Sequence, residues 1–278
     1  MIKICTPLMA AAALVLSGCA TTPPPIPQER IAEIIASPDR RPADRTNDVR
    51  RKPAEILAFI GVRQGWTALD LSAGGGYTTE LIARAVGPTG RVYGQSRPLP
   101  ANAPKPPAPE GGSAPSSTPR PPPTPSPVAL AERAKNPAVS HIVAVVRPFE
   151  DPVPPEIAPG TLDLATLMFN YHDLAWNGTD RAKMNRAVFA ALKPGGIYVL
   201  ADHSGRPGTG ASEAGTLHRI EEAFLQREVE AAGFRFAAQG NFLRNPKDPR
   251  DKNNPEPPLP TDEFVLKFVK PKPLERTP

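Results

Sequence analysis

Trp66-Thr67-Ala68-Leu69-Asp70-Leu71-Ser72-Ala73-Gly74-Gly75-Gly76-Tyr77-Thr78-Thr79-Glu80-Leu81-Ile82-Ala83-Arg84-Ala85-Val86 reads as a strand, a glycine turn and a helix. Ala68, Leu69 and Leu71 form the short apolar run of a strand buried on both faces. The three glycines let the backbone turn sharply and keep side chains out of the space above it. Tyr77, Leu81 and Ala85 recur at helical spacing until Gly87-Pro88 stops the helix. The helix N-terminus then faces whatever lies over the glycines. A dinucleotide turn of the G-x-G-x-x-G type wants a third glycine where this chain has Thr79. It also has no use for a carboxylate such as Asp70 at the strand end, which repels a pyrophosphate and favours a ligand carrying an ammonium group.

Outward from this unit the chain continues as strands and helices in alternation. Strands are predicted at 90–96, 141–146, 162–169, 197–201, 234–243 and 263–270. Helices are predicted at 28–36, 53–60, near 128–136, after the capping pair Thr179-Asp180, and across Leu217, Ile220, Phe224 and Val229 up to Gly233. Five β/α units imply a parallel sheet. The last two strands, joined by loop 244–261 without a helix, pair antiparallel. In the last strand Phe264, Leu266 and Phe268 alternate with Glu263, Val265 and Lys267. The fold class is therefore α/β: a Rossmann-like open sheet of seven strands, mostly parallel, with an antiparallel C-terminal hairpin and helices on both faces.

The acid before the glycine turn, the Leu192-Lys193-Pro194-Gly195-Gly196 phrase before a strand and the closing hairpin together resemble class I S-adenosylmethionine-dependent methyltransferases over residues 48–270. The nearest form is a group of predicted bacterial methyltransferases with Tyr171-His172-Asp173 after strand four, Asp202-His203 after strand five and the ending Phe264-Val265-Leu266-Lys267-Phe268. The resemblance implies S-adenosyl-L-methionine as cofactor, held by Asp70, Ser72, Gly74, Gly76, Gln95, Glu150 and Asn170. Gln95 stands where the family has an acid for the ribose hydroxyls, and an amide can both donate to and accept from a diol. Glu150 or Asp151 falls where an acid contacts the adenine.

Ligands of open α/β sheets bind outside the carboxyl ends of the strands, and Asp70, Gln95, Glu150, His172, Asp173, Asp202 and His203 all fall at such ends. Methyl transfer is an in-line displacement that needs a positioned acceptor and removal of its proton. His172 is the expected base, because imidazole titrates near neutrality. Asp173 or Asp202 would orient it, and Tyr171 would stack on cofactor or acceptor. The competing readings are a structural role for either histidine and a divalent-metal site built from the two histidines and two aspartates. At the level of the whole chain, a methyltransferase stands against a non-catalytic binding module of the same fold. A nicotinamide oxidoreductase is disfavoured by Asp70 and Thr79.

The N-terminus is of another kind. Lys3 followed by the apolar run Pro7–Leu16, too short to span a bilayer, reads as a targeting segment covering residues 1–18. Leu16-Ser17-Gly18-Cys19 resembles the lipoprotein signal of bacteria, which implies cleavage before Cys19, acylation of its thiol and a lipid anchor facing the periplasm, with Ala20 favouring the outer membrane. Residues 19–47 are expected to form a tether and one helix, 97–127 a proline-rich disordered insertion, and 271–278 a tail; the 39 prolines concentrate in such segments. Arg40, Arg41, Arg45, Arg50, Arg51 and Lys52, interspersed with Asp39, Asp44 and Asp48, read as a solvated mixed-charge face. The net charge of +5 does not indicate a nucleic-acid binder, and the expected acceptor is a small molecule or an envelope component. Cys5 and Cys19 are the two cysteines, so the mature domain has no disulfide or thiolate nucleophile. Cys19→Ser is expected to abolish acyl labelling and leave the signal uncut. An intact, unlipidated N-terminus on the wild-type protein, seen by mass spectrometry, would refute the lipoprotein reading.

Overall fold

The computed structural model describes residues 23–98, 126–253 and 259–273. The targeting segment 1–18, Cys19, most of the proline-rich insertion and most of the tail lie outside the described residues. Three helices open the domain: α1 (Gln28–Ala36), α2 (Pro42–Arg51) and α3 (Pro53–Ile60). There follow β1 (Thr67–Leu71), α4 (Tyr77–Val86), β2 (Arg91–Ser96), α5 (Ser126–Arg133), β3 (Ile142–Val146) and β4 (Leu162–Met168). The chain ends with α6 (Tyr171–Trp176), α7 (Arg181–Ala191), β5 (Leu192–His203), α8 (Ala214–Leu217), α9 (Glu222–Ala231), β6 (Arg235–Gly240) and β7 (Glu263–Val269).

The seven strands lie in the order β3-β2-β1-β4-β5-β7-β6. The first five pair in parallel, while β7 runs antiparallel to both β5 and β6. Alternate residues of each strand feed two apolar layers. Leu69, Leu71, Ala165 and Leu167 face one layer, shared with Leu174 of α6, Met184 and Val188 of α7, and Leu225 and Val229 of α9. Ala68 and Leu164 face the other, shared with Ile31, Ile34, Ile56, Leu57, Leu81, Ile82 and Leu130 from α1, α3, α4 and α5. Each layer closes one face of the sheet, so strands that read as continuous apolar runs are buried on both sides.

Four expectations are corrected. The domain begins near Pro25 rather than at residue 48: Pro25 bridges to Arg63, the Ile26 amide donates to the Val62 carbonyl, and Ile26, Ile31 and Ile34 are buried in the core. The charged run 42–51 is a helix. The helix expected across 217–229 is two, because His218 adopts φ +52° and the next residues turn back to β5. There the buried Arg219 pairs with Asp248 at 2.9 Å and donates to the Ser204 carbonyl, and the Ile220 amide donates to the His203 carbonyl. Finally, the alternation in β7 does not mark a solvated face: Glu263 and Val265 are as buried as Phe264 and Leu266, because Val265 joins the apolar layer of α1, α3 and α4 and Glu263 pairs with Arg50 of α2, while Lys267 stays partly exposed.

Two glycines make room for α5. A Cβ on Gly76 would stand 2.5 Å from Leu130 Cδ1 and 3.0 Å from Arg133 Cδ, and one on Gly94 would collide with Leu130 Cδ2. Leu130 thereby seats itself over both β2 and the glycine turn. Gly94→Ala is expected to destabilise the domain by about 1–3 kcal/mol through overpacking. The same substitution should cost measurably less in a Leu130→Ala background. Equal losses in the two backgrounds, measured by urea unfolding, would contradict this account of the packing.

Candidate active site

The glycine turn is built from left-handed residues. Ser72, Gly74 and Gly76 have φ of +53°, +54° and +84°. Gln95 braces the turn: its Oε1 accepts from the Ser72 amide at 3.1 Å, its Nε2 donates to the Arg147 carbonyl at 2.6 Å, and its backbone carbonyl accepts from the Ala73 amide. The amide expected to meet a ligand diol is thus committed to backbone at both ends, and fully buried. Gly76 serves the packing of α5 rather than a ligand. Gly74 and Gly75, by contrast, line an open cleft of about 270 Å³, and a Cβ on Gly75 would meet nothing within 4 Å. A groove of about 420 Å³ at the opposite end of the strands, beside Gly90, Arg91 and His141, has neither the glycine turn nor the strand-end acids.

Asp70 lies in the wall of the cleft at 2% exposure. Thr79 Oγ1 donates to its Oδ2 at 2.6 Å and Thr166 Oγ1 to its Oδ1 at 2.7 Å. Burial pushes its carboxyl up to about 6, against the pull of the two hydroxyls and of the Arg51 cation. Thr79, which departs from the dinucleotide pattern, is therefore the partner of the acid.

The wall opposite is α2, and the sequence did not mark it. Its charges are a solvated face only in part: Arg41, Arg45, Arg50 and Lys52 are exposed, whereas Arg40 and Asp44 are buried and Asp48 and Arg51 half-buried. Arg40 is buried and clamps Asp48 at 2.7 and 2.8 Å, while Tyr77 donates to the same carboxylate. Asp44 and Glu80 share Arg133, whose Nε also donates to the Gly75 carbonyl at 2.8 Å. Arg84 bridges Glu80 and Asp39, and that contact with a second bond from Asn136 holds the Asp39 carboxyl down at about 2. Asp44, Asn47, Arg51 and Arg133 line the cleft with the glycine turn. The Arg51 guanidinium lies 3.9 Å from the centre of the Phe169 ring. Burial, with repulsion from Arg50, lowers its pKa to about 10, so it stays cationic at neutral pH. Among the described residues it has no carboxylate partner within 4 Å.

Beyond β4 the backbone turns through Phe169, at φ +60°, into α6. Asn170 begins that helix and joins two regions: its Oδ1 accepts from Ser72 Oγ at 2.7 Å, and its Nδ2 donates to Asp173 Oδ2 at 2.8 Å. His172 Nδ1 lies 2.6 Å from Asp202 Oδ1, and the His172 amide donates to Asp202 Oδ2. Burial opposes charge on this imidazole, but the Asp202 carboxylate outweighs it and raises the pKa. The same contact overrides burial at Asp202 and lowers its pKa. His172 Nε2 makes no hydrogen bond; Asp173 Oδ1 is 3.4 Å away, and His218 Nδ1 lies 3.6 Å from that same oxygen. The His203 ring is 5.5 Å from that of His172, with Nδ1 3.2 Å from Glu263.

Tyr171 does not stack on a ligand. Its ring is fully buried in the core, and its hydroxyl bonds Glu228 and Asn185. Glu150 is half-buried and accepts from the Asp180 amide at the start of α7; Asp151 pairs with Arg147. Of the expected site residues, then, Asp70, Ser72 and Gly74 meet at the cleft. His172, Asp173, Asp202 and His203 meet beyond Asn170. Arg51, Asp44, His218 and Glu263 join them unforeseen.

No family model matches the chain, and no curated protein matches it. Among solved structures it is similar to a SAM dependent methyltransferase from Aquifex aeolicus, with a TM-score of 0.55 and 15% identity, over 88% of this chain and 99% of that one. The chain has the class I methyltransferase fold. A second methyltransferase-fold neighbour is CrArsM, an arsenic (III) S-adenosylmethionine methyltransferase from Chlamydomonas reinhardtii, with a TM-score of 0.54 and 15% identity over 92% of this chain and 76% of that one. A third is the [4+2]-cyclase SpnF, at 0.53 and 15% over 83% and 82%. At these identities the likeness is one of fold, and in this methyltransferase fold the chemistry rests on the residues of the site.

The raised carboxyl of Asp70 has a stability consequence. Ionising it costs more in the folded chain than in the unfolded one, so the native state holds its proton to higher pH. Its contribution to stability is full below pH 4 and is lost as pH rises from about 4 through 6. At about 1.4 kcal/mol per pH unit, the loss is on the order of 3 kcal/mol. Asp70→Asn is therefore expected to gain on the wild type between pH 4 and pH 7. Parallel stability curves for the two proteins, from urea unfolding across that range, would show that Asp70 titrates normally.

Proposed function

We propose that this protein is an S-adenosyl-L-methionine-dependent methyltransferase. The observation that carries the reading is the cleft over Gly74 and Gly75. It holds an acid at the strand end and an unpaired guanidinium on the facing helix, and it is joined through Ser72, Asn170 and Asp173 to the His172–Asp202 pair. A zwitterionic amino acid with a sulfonium fits such a donor set: Arg51 and the bare turn suit its carboxylate, and Asp70 suits its positive groups. At the end of β2 the buried hydroxyl of Ser96, which has no hydrogen-bond partner, suits a ribose hydroxyl better than the committed Gln95. Glu150 keeps the adenine role assigned to it by resemblance. The cofactor supplies an electrophilic methyl group. The chain's own task is to seat the acceptor beyond Asn170 and dispose of its proton, and His172 Nε2, backed by Asp202, is the atom placed for that task.

The lipoprotein-like N-terminus supports a place in the bacterial envelope, with the domain anchored through Cys19 and acting on a small molecule or an envelope component. A second reading, a binding module that no longer transfers methyl groups, is favoured by the loss of Gln95 to the backbone.

Calorimetric titration separates these. S-adenosylmethionine and its demethylated product should bind and NAD should not. Arg51→Ala should weaken binding by on the order of 1.5–3 kcal/mol, the range for hydrogen bonds to charged groups. His172→Ala should bind as the wild type does but lose about 10²–10⁴-fold in turnover. Cofactor binding with no transfer to any acceptor tried would favour the module. NAD binding in place of S-adenosylmethionine would overturn both.

A further inference from the structure

We propose that His172 Nε2, Asp173 and His218 Nδ1 form a binding site for one divalent transition-metal ion. Their ligand atoms all lie within 4.8 Å of one another, with 3.4 Å from His172 to Asp173 Oδ1 and 3.6 Å from His218 to the same oxygen. Metal bonds of about 2.0–2.2 Å place neighbouring ligands about 3–3.5 Å apart, so the two contacts to Asp173 already have nearly that spacing, and the two imidazoles, within 4.8 Å of each other, close on the ion to complete the set.

The surrounding structure prepares these atoms for an ion. The His172 side chain is 1% exposed, yet its Nε2 has no hydrogen-bond partner, which is costly for a buried polar atom unless something occupies it. Its other nitrogen is held 2.6 Å from Asp202. With the proton kept at Nδ1, the lone pair stands at Nε2; a carboxylate behind a ligating histidine has this effect in metal sites generally. Asn170 occupies Asp173 Oδ2 and leaves Oδ1 towards the two imidazoles.

His218 is delivered by packing. It ends α8 in a left-handed conformation, and α8 lies close on α6 because Gly215 has no Cβ to collide with Trp176. Two imidazoles and one carboxylate suit Zn²⁺, Mn²⁺ or Fe²⁺ rather than Mg²⁺ or Ca²⁺. Asp173 and His218 are partly exposed, at 38% and 29%, so an ion can reach the cluster from outside. The site does not depend on the methyl-transfer reading. If both hold, the ion takes the acceptor and His172 acts as its ligand rather than as a base.

The test uses the full, untagged chain, stripped with a chelator and titrated with Zn²⁺ and, separately, Mn²⁺. The expected result is one ion per chain, with affinity reduced at least 10-fold in both His218→Ala and Asp173→Asn. Both residues are partly exposed, and thermal unfolding of the metal-free variants should match the wild type. Co²⁺ loading should give visible absorption that His218→Ala removes. No stoichiometric binding, or binding unchanged in both variants, would overturn the site. Binding of S-adenosylmethionine to the stripped wild type, measured in the same preparation, reports separately on the cofactor reading.

Discussion

The carboxylate of Asp70 accepts hydroxyl hydrogen bonds from Thr79 on α4 and Thr166 on β4, at the point where β1 gives way to the glycine turn. Three elements therefore converge on one buried acid. Its oxygens are satisfied, yet its charge is poorly solvated, and the balance between those two facts defines the cleft. Placed there, Asp70 fixes where α4 begins, keeps β1 and β4 in register at their ends, and sets the sign of the potential over the turn. The left-handed serine and glycines that follow are the backbone's response to a strand that must end against a helix N-terminus within a few residues.

Around that centre, ion pairs take the place that apolar contacts occupy elsewhere. Helix α2 carries one large apolar residue, Val49, and exposes it. It is held by Arg40–Asp48 and Asp44–Arg133, with Arg133 reaching on to Glu80 and to the glycine turn. Such pairs add little net stability over apolar packing, but breaking one leaves a buried charge at a cost of about 3–5 kcal/mol. The arrangement ties α2, α4 and α5 to a single geometry, and the cleft they enclose is correspondingly specified.

The elements that could be read from the chain were those whose apolar spacing is dictated by a sheet. β1 and β4 are apolar runs because both their faces are covered, β3 at the sheet edge is covered in part and leaves Val146 exposed, and the closing hairpin followed from two strands with no helix between them. Asp70 was legible because a carboxylate at a strand end is a chemical anomaly before a glycine turn. What escaped had no periodic signature. The charged segment 42–51 looks solvated when its partners, Glu80 and Arg133, lie far along the chain. Leu217 to Val229 keeps helical spacing even though Arg219, bonded to Asp248 and Ser204, breaks the helix. Tyr171 is adjacent to His172 in sequence, but successive residues at the start of α6 point to different sides, and the ring falls into the core. His218 could not be linked to Asp173 at all without the approach of α8 to α6.

The hydrogen bonds from Ser72 to Asp173 have a fixed direction. An ionised carboxylate only accepts, so Asp173 obliges the Asn170 amide to present its NH₂ group there and its oxygen to Ser72. The serine hydroxyl must then give its single hydrogen to Asn170, and lone pairs are all that its oxygen has left for the cleft. A charge on α6 thus sets the polarity of an atom on the far side of a side-chain relay. A ligand that brings an N–H or O–H to Ser72 is received, and one that brings a bare oxygen is turned away.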